Sequence, residues 1–243
     1  MKTIGLIGGM SWESTALYYR IINRAVAERL GGLHSARLLL LSVDFDDVVQ
    51  GQRAGDWDAL GALLAEGARR LQRGGADCVL IGTNTMHRVA DVVAAAVPLP
   101  LLHIVDATAD AIERAGCRRV ALLGTRYTME QPFYVERLAR RGIDCIVPEA
   151  DDRDTVHRII FDELCCGVVA PSSRDALREV VARQLARGAD GVVLGCTELP
   201  LALQAADVAA PLFDTTELHA LAAVDFALRG VPALDSLPVS MAS

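Results

Sequence analysis

ARRLQRGGADCVLIGTNT (Ala68–Thr85) and ARQLARGADGVVLGCTE (Ala182–Glu198) are two copies of one pattern, separated in alignment by a single one-residue gap. Each leads through Gly and Ala-Asp into a short aliphatic run that stops at Gly. Asp77 pairs with Asp190, Gly82 with Gly195, and Thr83 with Cys196. Upstream, TIGLIGGM (Thr3–Met10) resembles RVALLGTR (Arg119–Arg126), with Gly8 matching Gly124. Gly8 and Gly124 are 116 residues apart, Thr83 and Cys196 113. Two nearly equal offsets point to a duplicated unit.

The aliphatic runs are short and continuous, the pattern of strands buried on both faces of a parallel sheet. Strands are expected at Thr3–Ile7, Arg37–Val43, Cys78–Ile81, Leu101–Ile104, Arg119–Leu123, Asp144–Val147 and Gly191–Leu194. Helical stripes lie between them: Leu17, Ile21, Ile22 and Ala25; Leu60, Leu63, Leu64 and Leu71; Leu177, Val180, Val181 and Leu185. The expected fold is α/β, in two pseudo-symmetric lobes, each a parallel sheet flanked by helices, with the active site in the cleft between them. The helix TTELHALAAVDFALRG has no counterpart before residue 104 and is expected to cross back. Lobe 1 is then 1–104 plus 214–243, and lobe 2 is 105–213. The tail from Val231, with its Pro/Ser turns, is expected to be poorly ordered.

Composition excludes several classes. The 243 residues are 52% hydrophobic with a net charge of −7, and they carry no basic stripe or nucleic-acid motif. No apolar run reaches the roughly 20 residues of a membrane helix. Six scattered cysteines without a CxxC suggest a reduced, cytoplasmic setting with most thiols acting as small core hydrophobes, the Cys165–Cys166 pair among them. Lys2 is the sole lysine, a poor Schiff-base candidate for pyridoxal phosphate. The five histidines show no metal-ligand spacing, so no metal is expected. GLIGGM is not a dinucleotide fingerprint.

In open parallel sheets, ligands bind beyond the carboxyl ends of the strands. Thr83 and Cys196 each follow a strand directly. If the lobes face each other across a pseudo-two-fold, the two side chains enter one cleft from opposite sides, the layout that inversion of a carbon centre requires. CTEL reads as a first helical turn that would favour thiolate at Cys196, with Glu198 opposing it. Asn84 and Thr85 add donors for a carboxylate. GGMSWES supplies Ser11 or Ser14 as a helix N-cap. The simpler readings are a packed core cysteine and an ordinary capping turn; the duplicated position argues against them.

GLIGGMSWEST, TNTMH, LLGTRYTMEQPFY, IIFDEL and GCTEL together resemble the aspartate/glutamate racemases, the cofactor-independent group within the Asp/Glu/hydantoin racemase superfamily. The resemblance covers nearly the whole chain. It implies two pseudo-symmetric α/β lobes, no cofactor, and a small acidic amino acid as substrate, with a homodimer left open. Typical members carry Cys at both junctions; Thr83 with Cys196 resembles an L-aspartate/L-glutamate racemase branch. The resemblance then implies Cys196 and Thr83 as the catalytic pair, each serving one enantiomer. It also implies Met10, Gln52, Asn84, Thr85, Thr197 and Glu198 as substrate contacts. Gln52 and Arg53 are both candidates for the side-chain carboxylate. The competing readings are a superfamily decarboxylase or maleate-isomerase-type enzyme using Cys196 alone, and a binding protein that kept the cleft.

Overall fold

Both copies of the repeat lead into a strand that pairs in parallel with the first strand of its lobe. The chain, described as a computed structural model over residues 1–231, begins with β1 (Ile4–Gly8), α1 (Trp12–Leu30), β2 (Leu38–Ser42), α2 (Phe45–Ala54), α3 (Trp57–Arg73) and β3 (Cys78–Ile81). A 3-10 turn (Thr85–Val89), α4 (Ala90–Ala95) and α5 (Ile104–Arg114) follow. The second lobe holds β4 (Arg119–Gly124), α6 (Arg126–Glu130), α7 (Pro132–Ala139), β5 (Asp144–Ile146), α8 (Ala150–Arg158), α9 (Pro171–Ala186), β6 (Gly191–Gly195), α10 (Leu199–Ala202) and β7 (Leu212–Asp214). The last described helix is α11 (Thr215–Leu228). The tail beyond Val231, expected to be poorly ordered, lies outside the described residues.

The first sheet runs β2-β1-β3 and the second β5-β4-β6-β7, all parallel. Registers repeat as the sequence offsets require. Ile4 pairs with Cys78 in one sheet and Val120 with Gly191 in the other; Ile4 and Val120 are 116 residues apart, Cys78 and Gly191 113. The repeated aspartates do the same structural work in each lobe. Asp77 accepts from the Thr3 N–H at 2.6 Å, and Asp190 from the Arg118 and Arg119 N–H groups at 2.8 and 3.0 Å, tying the two main strands together at their amino ends.

Side chains alternate across each sheet, so every central strand feeds two cores. In lobe 1, Ile7, Val79 and Ile81 pack on α3 and α4, while Ile4, Leu6, Cys78 and Leu80 pack on α1 and α11. In lobe 2, Ala121, Leu123, Val192 and Leu194 face α9, and Val120, Leu122 and Val193 face α5 and α7. Burial on both faces is what the unbroken aliphatic runs encode. β7 belongs to the second sheet, yet α11 leaves it to pack Ala220, Ala223 and Val224 against Tyr18, Ile22 and Val26 of α1.

Several sequence expectations change. Leu101–Ile104 is not a strand. Only Leu101 bridges to Val79, because His103 already caps α5, its ring nitrogen accepting from the Val105 N–H at 3.1 Å. β7 (Leu212–Asp214) was not among the expected strands. The buried stripe of α1 runs through Tyr18, Ile22, Ala25 and Val26; Leu17 and Ile21 are half-buried. Leu63 of α3 is exposed.

Gly9 turns the chain out of β1 with φ +92°, and a Cβ there would lie 2.2 Å from the Val43 carbonyl oxygen. Gly9→Ala is therefore expected to cost roughly 2–4 kcal/mol, combining a left-handed backbone with a backbone clash. A lower urea midpoint at an unchanged m-value is the readout.

Candidate active site

The carboxyl ends of β1, β3, β4 and β6 converge on one cavity of about 90 Å³ between the lobes. Met10, Gln52, Thr83, Asn84, Thr85, Cys196, Thr197 and Glu198 all line it. Arg53 does not: it is exposed on the last turn of α2, so of the two candidates raised for a substrate carboxylate only Gln52 faces the cavity. Its amide donates to the Met86 sulfur at 3.3 Å.

Cys196 sits in a bend after β6. CTEL is not a first helical turn, since α10 begins only at Leu199 and is four residues long. So short a helix carries little dipole to favour a thiolate. The Cys196 thiol donates to Glu198 Oε2 at 2.8 Å. Burial pushes its pKa well above the usual thiol range, and the Glu198 carboxylate pushes it further; only the Glu198 backbone N–H opposes them. Cys196 thus holds its proton at neutral pH.

Glu198 Oε2 also accepts from the Thr197 hydroxyl at 2.7 Å, so the Thr197 oxygen must accept from Ser14, 2.7 Å away. The Ser14 oxygen in turn accepts from Ser11 at 3.2 Å. Ser11 is the N-cap of α1, receiving the Ser14 N–H at 3.3 Å. This chain of hydroxyls joins the start of α1 in lobe 1 to the end of β6 in lobe 2.

The Asn84 amide is oriented by Thr215. Thr215 Oγ1 donates to the Leu194 carbonyl at 2.9 Å, so at 2.9 Å from Asn84 it must accept from the amide NH₂. Asn84 Oδ1 then faces away and is buried with no partner. Buried acceptors are rarely left so, which makes this oxygen a natural acceptor for a ligand N–H. Thr85 reaches Thr128 of lobe 2 at 3.3 Å.

Thr83 is half-buried, and its carbonyl is held from below by His87 Nδ1 at 2.8 Å. The other ring nitrogen, Nε2, accepts from the Ile104 N–H at 3.2 Å, so the proton lies on Nδ1. His87 packs 4.5 Å from the His103 ring and 5.5 Å from His219, and the Tyr18 hydroxyl meets His219 Nδ1 at 2.8 Å. Burial keeps all three neutral: His87 is held well below its usual value, His103 down to about 3 and His219 down to about 4. The unfolded chain takes up these protons below pH 6.5 and the folded one resists. Stability from this cluster is complete above pH 6.5 and is lost as pH falls from there toward 4 and 3. Each histidine is expected to contribute up to roughly 1.4 kcal/mol per pH unit. Urea midpoints that stay flat from pH 7.5 to 5 would contradict this.

Cys165 and Cys166 are not core. They follow the π-type turn Ile159–Glu163 and are exposed, because Gly167 ends the segment before it can pack. Cys165 also borders the cavity, and desolvation with Glu198 nearby pushes its thiol up to about 12. Iodoacetamide should modify exposed Cys166 before Cys196, as read by peptide mass spectrometry.

Sequence reading missed part of the lining: Phe45, Thr125, Tyr127, Ile160, Phe161 and Cys165. Thr125 was recoverable, since the 116-residue offset matches it to Gly9 at the end of β1. The aromatics carry no such signal.

A family model described as Asp/Glu/hydantoin racemase matches residues 7–223. A provisionally assigned Asp/Glu racemase structure from Yersinia pestis is 52% identical, covering 94% of this chain and 100% of its own, with a TM-score of 0.90. An aspartate racemase homologue from Pyrococcus horikoshii OT3 is 35% identical over 93% and 99%, with a TM-score of 0.84. A broad-specificity amino-acid racemase of Bacillus subtilis is 24% identical over 164 residues, 66% of this chain and 69% of that protein.

Proposed function

Because the chain belongs to the Asp/Glu/hydantoin racemase family, we propose that it racemises an amino acid without a cofactor, moving protons at Cα between Cys196 on one face and Thr83 on the other. One observation carries the reading: the two residues end equivalent strands of two equivalent lobes and line the same small cavity. L-Aspartate and L-glutamate, the substrates that the sequence resemblance implies, fall within this chemistry because the reacting bond is at Cα.

Cys196 must first lose its proton, and Glu198 Oε2 is the acceptor already bonded to it. The thiolate then takes the α-proton of the L-enantiomer. Thr83 gives its hydroxyl proton to the opposite face of the carbanion, and as product leaves its oxygen regains a proton through water while Glu198 releases to water the proton it took from Cys196, restoring the starting state. Asn84 Oδ1 accepts from the substrate ammonium, and the hydroxyl of Thr85 lies at the same cavity for the α-carboxylate, while the Thr197 hydroxyl stays on Glu198. A threonine hydroxyl is a workable donor to a carbanion and a poor base, so the two directions differ in kcat and KM. Enantiomers are equally stable, so kcat/KM is the same in both.

The test is incubation with L-amino acids in D₂O, followed by proton NMR and chiral chromatography. Deuteration at Cα with formation of the D-enantiomer supports the reading. Loss of carbon dioxide from a malonate without exchange of any amino acid would favour a decarboxylase instead. Glu198→Gln provides an internal check. Without the carboxylate the Cys196 pKa drops, so its alkylation at fixed pH should speed up while racemisation slows by about 10²–10⁴, the usual scale for a lost proton acceptor. If racemisation is undiminished, Glu198 takes no proton from Cys196.

A further inference from the structure

We infer that His87 is a positioning residue for Thr83: its imidazole fixes the turn that carries the Thr83 hydroxyl and ties that turn to the helix leading into lobe 2. The inference rests on the racemase reading and concerns how the second proton of that reaction is aimed.

A threonine side chain has a single, stiff torsion, so its hydroxyl goes where the backbone sends it. Both peptide groups flanking the Thr83 Cα are held. The Thr83 N–H donates to the Ile81 carbonyl at 2.9 Å, and the Thr83 carbonyl accepts from His87 Nδ1 at 2.8 Å. The 3-10 turn that follows does not reach this carbonyl, because its first backbone bond runs from the His87 N–H to the Asn84 carbonyl at 3.0 Å. In lobe 2 the equivalent carbonyl, that of Cys196, accepts from a backbone donor, the Leu199 N–H at 3.3 Å. The 113-residue offset matches His87 to Pro200, so the duplicated fold closes this junction without an imidazole. His87 belongs only to the lobe whose reacting group is a hydroxyl.

The far side of the ring reaches the connection between the lobes. His87 Nε2 accepts from the Ile104 N–H at 3.2 Å, which opens α5 and so has no partner inside that helix. His219 Nε2 donates to the Leu102 carbonyl at 2.7 Å, and His103 Nδ1 accepts from the Val105 N–H at 3.1 Å. Three imidazoles thus hold the crossing from lobe 1 to lobe 2. Ile104, Val105 and Ile112 of α5 share a core with Val120, Leu122 and Val193, and Val193 lies on β6, the strand that leads into Cys196. His87 therefore joins the Thr83 turn to the helix packed on the Cys196 strand. Only the neutral ring protonated on Nδ1 makes both bonds, since one needs a donor and the other an acceptor. The two reacting groups stand on different lobes and must oppose one carbon, where a misplacement of about 1 Å is worth about 10²-fold in rate.

The test reads two initial rates on one preparation of each full-length variant, with L-aspartate and L-glutamate in D₂O. Formation of the D-enantiomer needs Thr83, whereas Cα deuteration of retained L-substrate needs Cys196 alone. Their ratio is read within one protein, so a reduced folded fraction cancels. His87→Gln keeps an amide near the Ile104 N–H and places no donor at the Nδ1 position. It is expected to lower the inversion-to-exchange ratio by about tenfold or more, while L-deuteration stays near the parental rate. His87→Met, which has no side-chain N–H, is expected to do the same and carries the test if His87→Gln does not fold. His87→Asn, whose amide nitrogen can stand in for Nδ1, is expected to bring the ratio back toward the parental value. Inversion and exchange falling together in the Gln or Met variant, with the ratio unchanged, would make His87 a structural residue of the lobe connection and overturn the inference while leaving the racemase reading intact. A ratio as low in His87→Asn as in His87→Gln overturns it too. No deuteration of either L-substrate by the parent overturns both readings.

Discussion

Cys196→Ala is expected to lose racemisation in both directions by at least about 10³-fold, and to lose Cα deuteration of L-substrate with it. In the proposed scheme the sulfur is the group that meets the L-proton. Neither Glu198 nor water replaces a thiolate held against that carbon. The fold should survive. Cys196 is half-buried and packs only at the border of the lobe 2 core, so removing its sulfur is expected to cost about 1 kcal/mol. Chiral chromatography, NMR exchange and a urea curve on the same preparation separate the two effects. Persistent exchange of L-substrate in a folded Cys196→Ala protein would show that the base lies elsewhere.

Thr83→Ala is expected to split two activities that the parent couples. Racemisation should fall by about 10²-fold or more, because no group on the second face delivers a proton. Deuteration of the L-substrate should continue, since Cys196 can remove one hydrogen and return another to the same face. Thr83→Cys should restore inversion and make D-to-L turnover easier to detect, because a thiolate can act as a base where a neutral hydroxyl scarcely can. Its kcat/KM must still be equal in both directions. The carbonyl that His87 holds belongs to the backbone and is unaffected by either change. Racemisation by Thr83→Ala at the parental rate would reduce Thr83 to a turn residue.

The division of labour within the motifs explains why these variants are informative. Asp77 and Asp190 are as faithfully repeated as Thr83 and Cys196, but they bond to backbone N–H groups at the amino ends of the strands, opposite the cavity. His87, at the end of TNTMH, is buried beneath Thr83 with its proton assigned by the Ile104 N–H. Repetition alone does not distinguish a strand clamp from a reacting group. Position along the strand does, because only the carboxyl ends open on the cleft.

The sequence by itself determined the features written in local period and in repetition. Continuous aliphatic runs with matched offsets specified two sheets of equivalent register, since a strand buried on both faces tolerates no polar interruption. The same offsets brought Thr83 and Cys196 to corresponding strand ends. What depended on contacts between distant segments was decided only by the tertiary structure. The fourth run became a single bridge because His103 capped a helix. Cys165 and Cys166 stayed at the surface because a glycine ended their turn. Cys196 kept its proton because burial and Glu198 outweighed a helix end too short to oppose them. Which side chains reach the cavity is also of this second kind. Arg53 and Arg126 neighbour lining residues in sequence, yet one is exposed and the other is paired with Asp154. Where a guanidinium on a long, flexible stem comes to rest depends on the partners that the folded chain brings within reach of it.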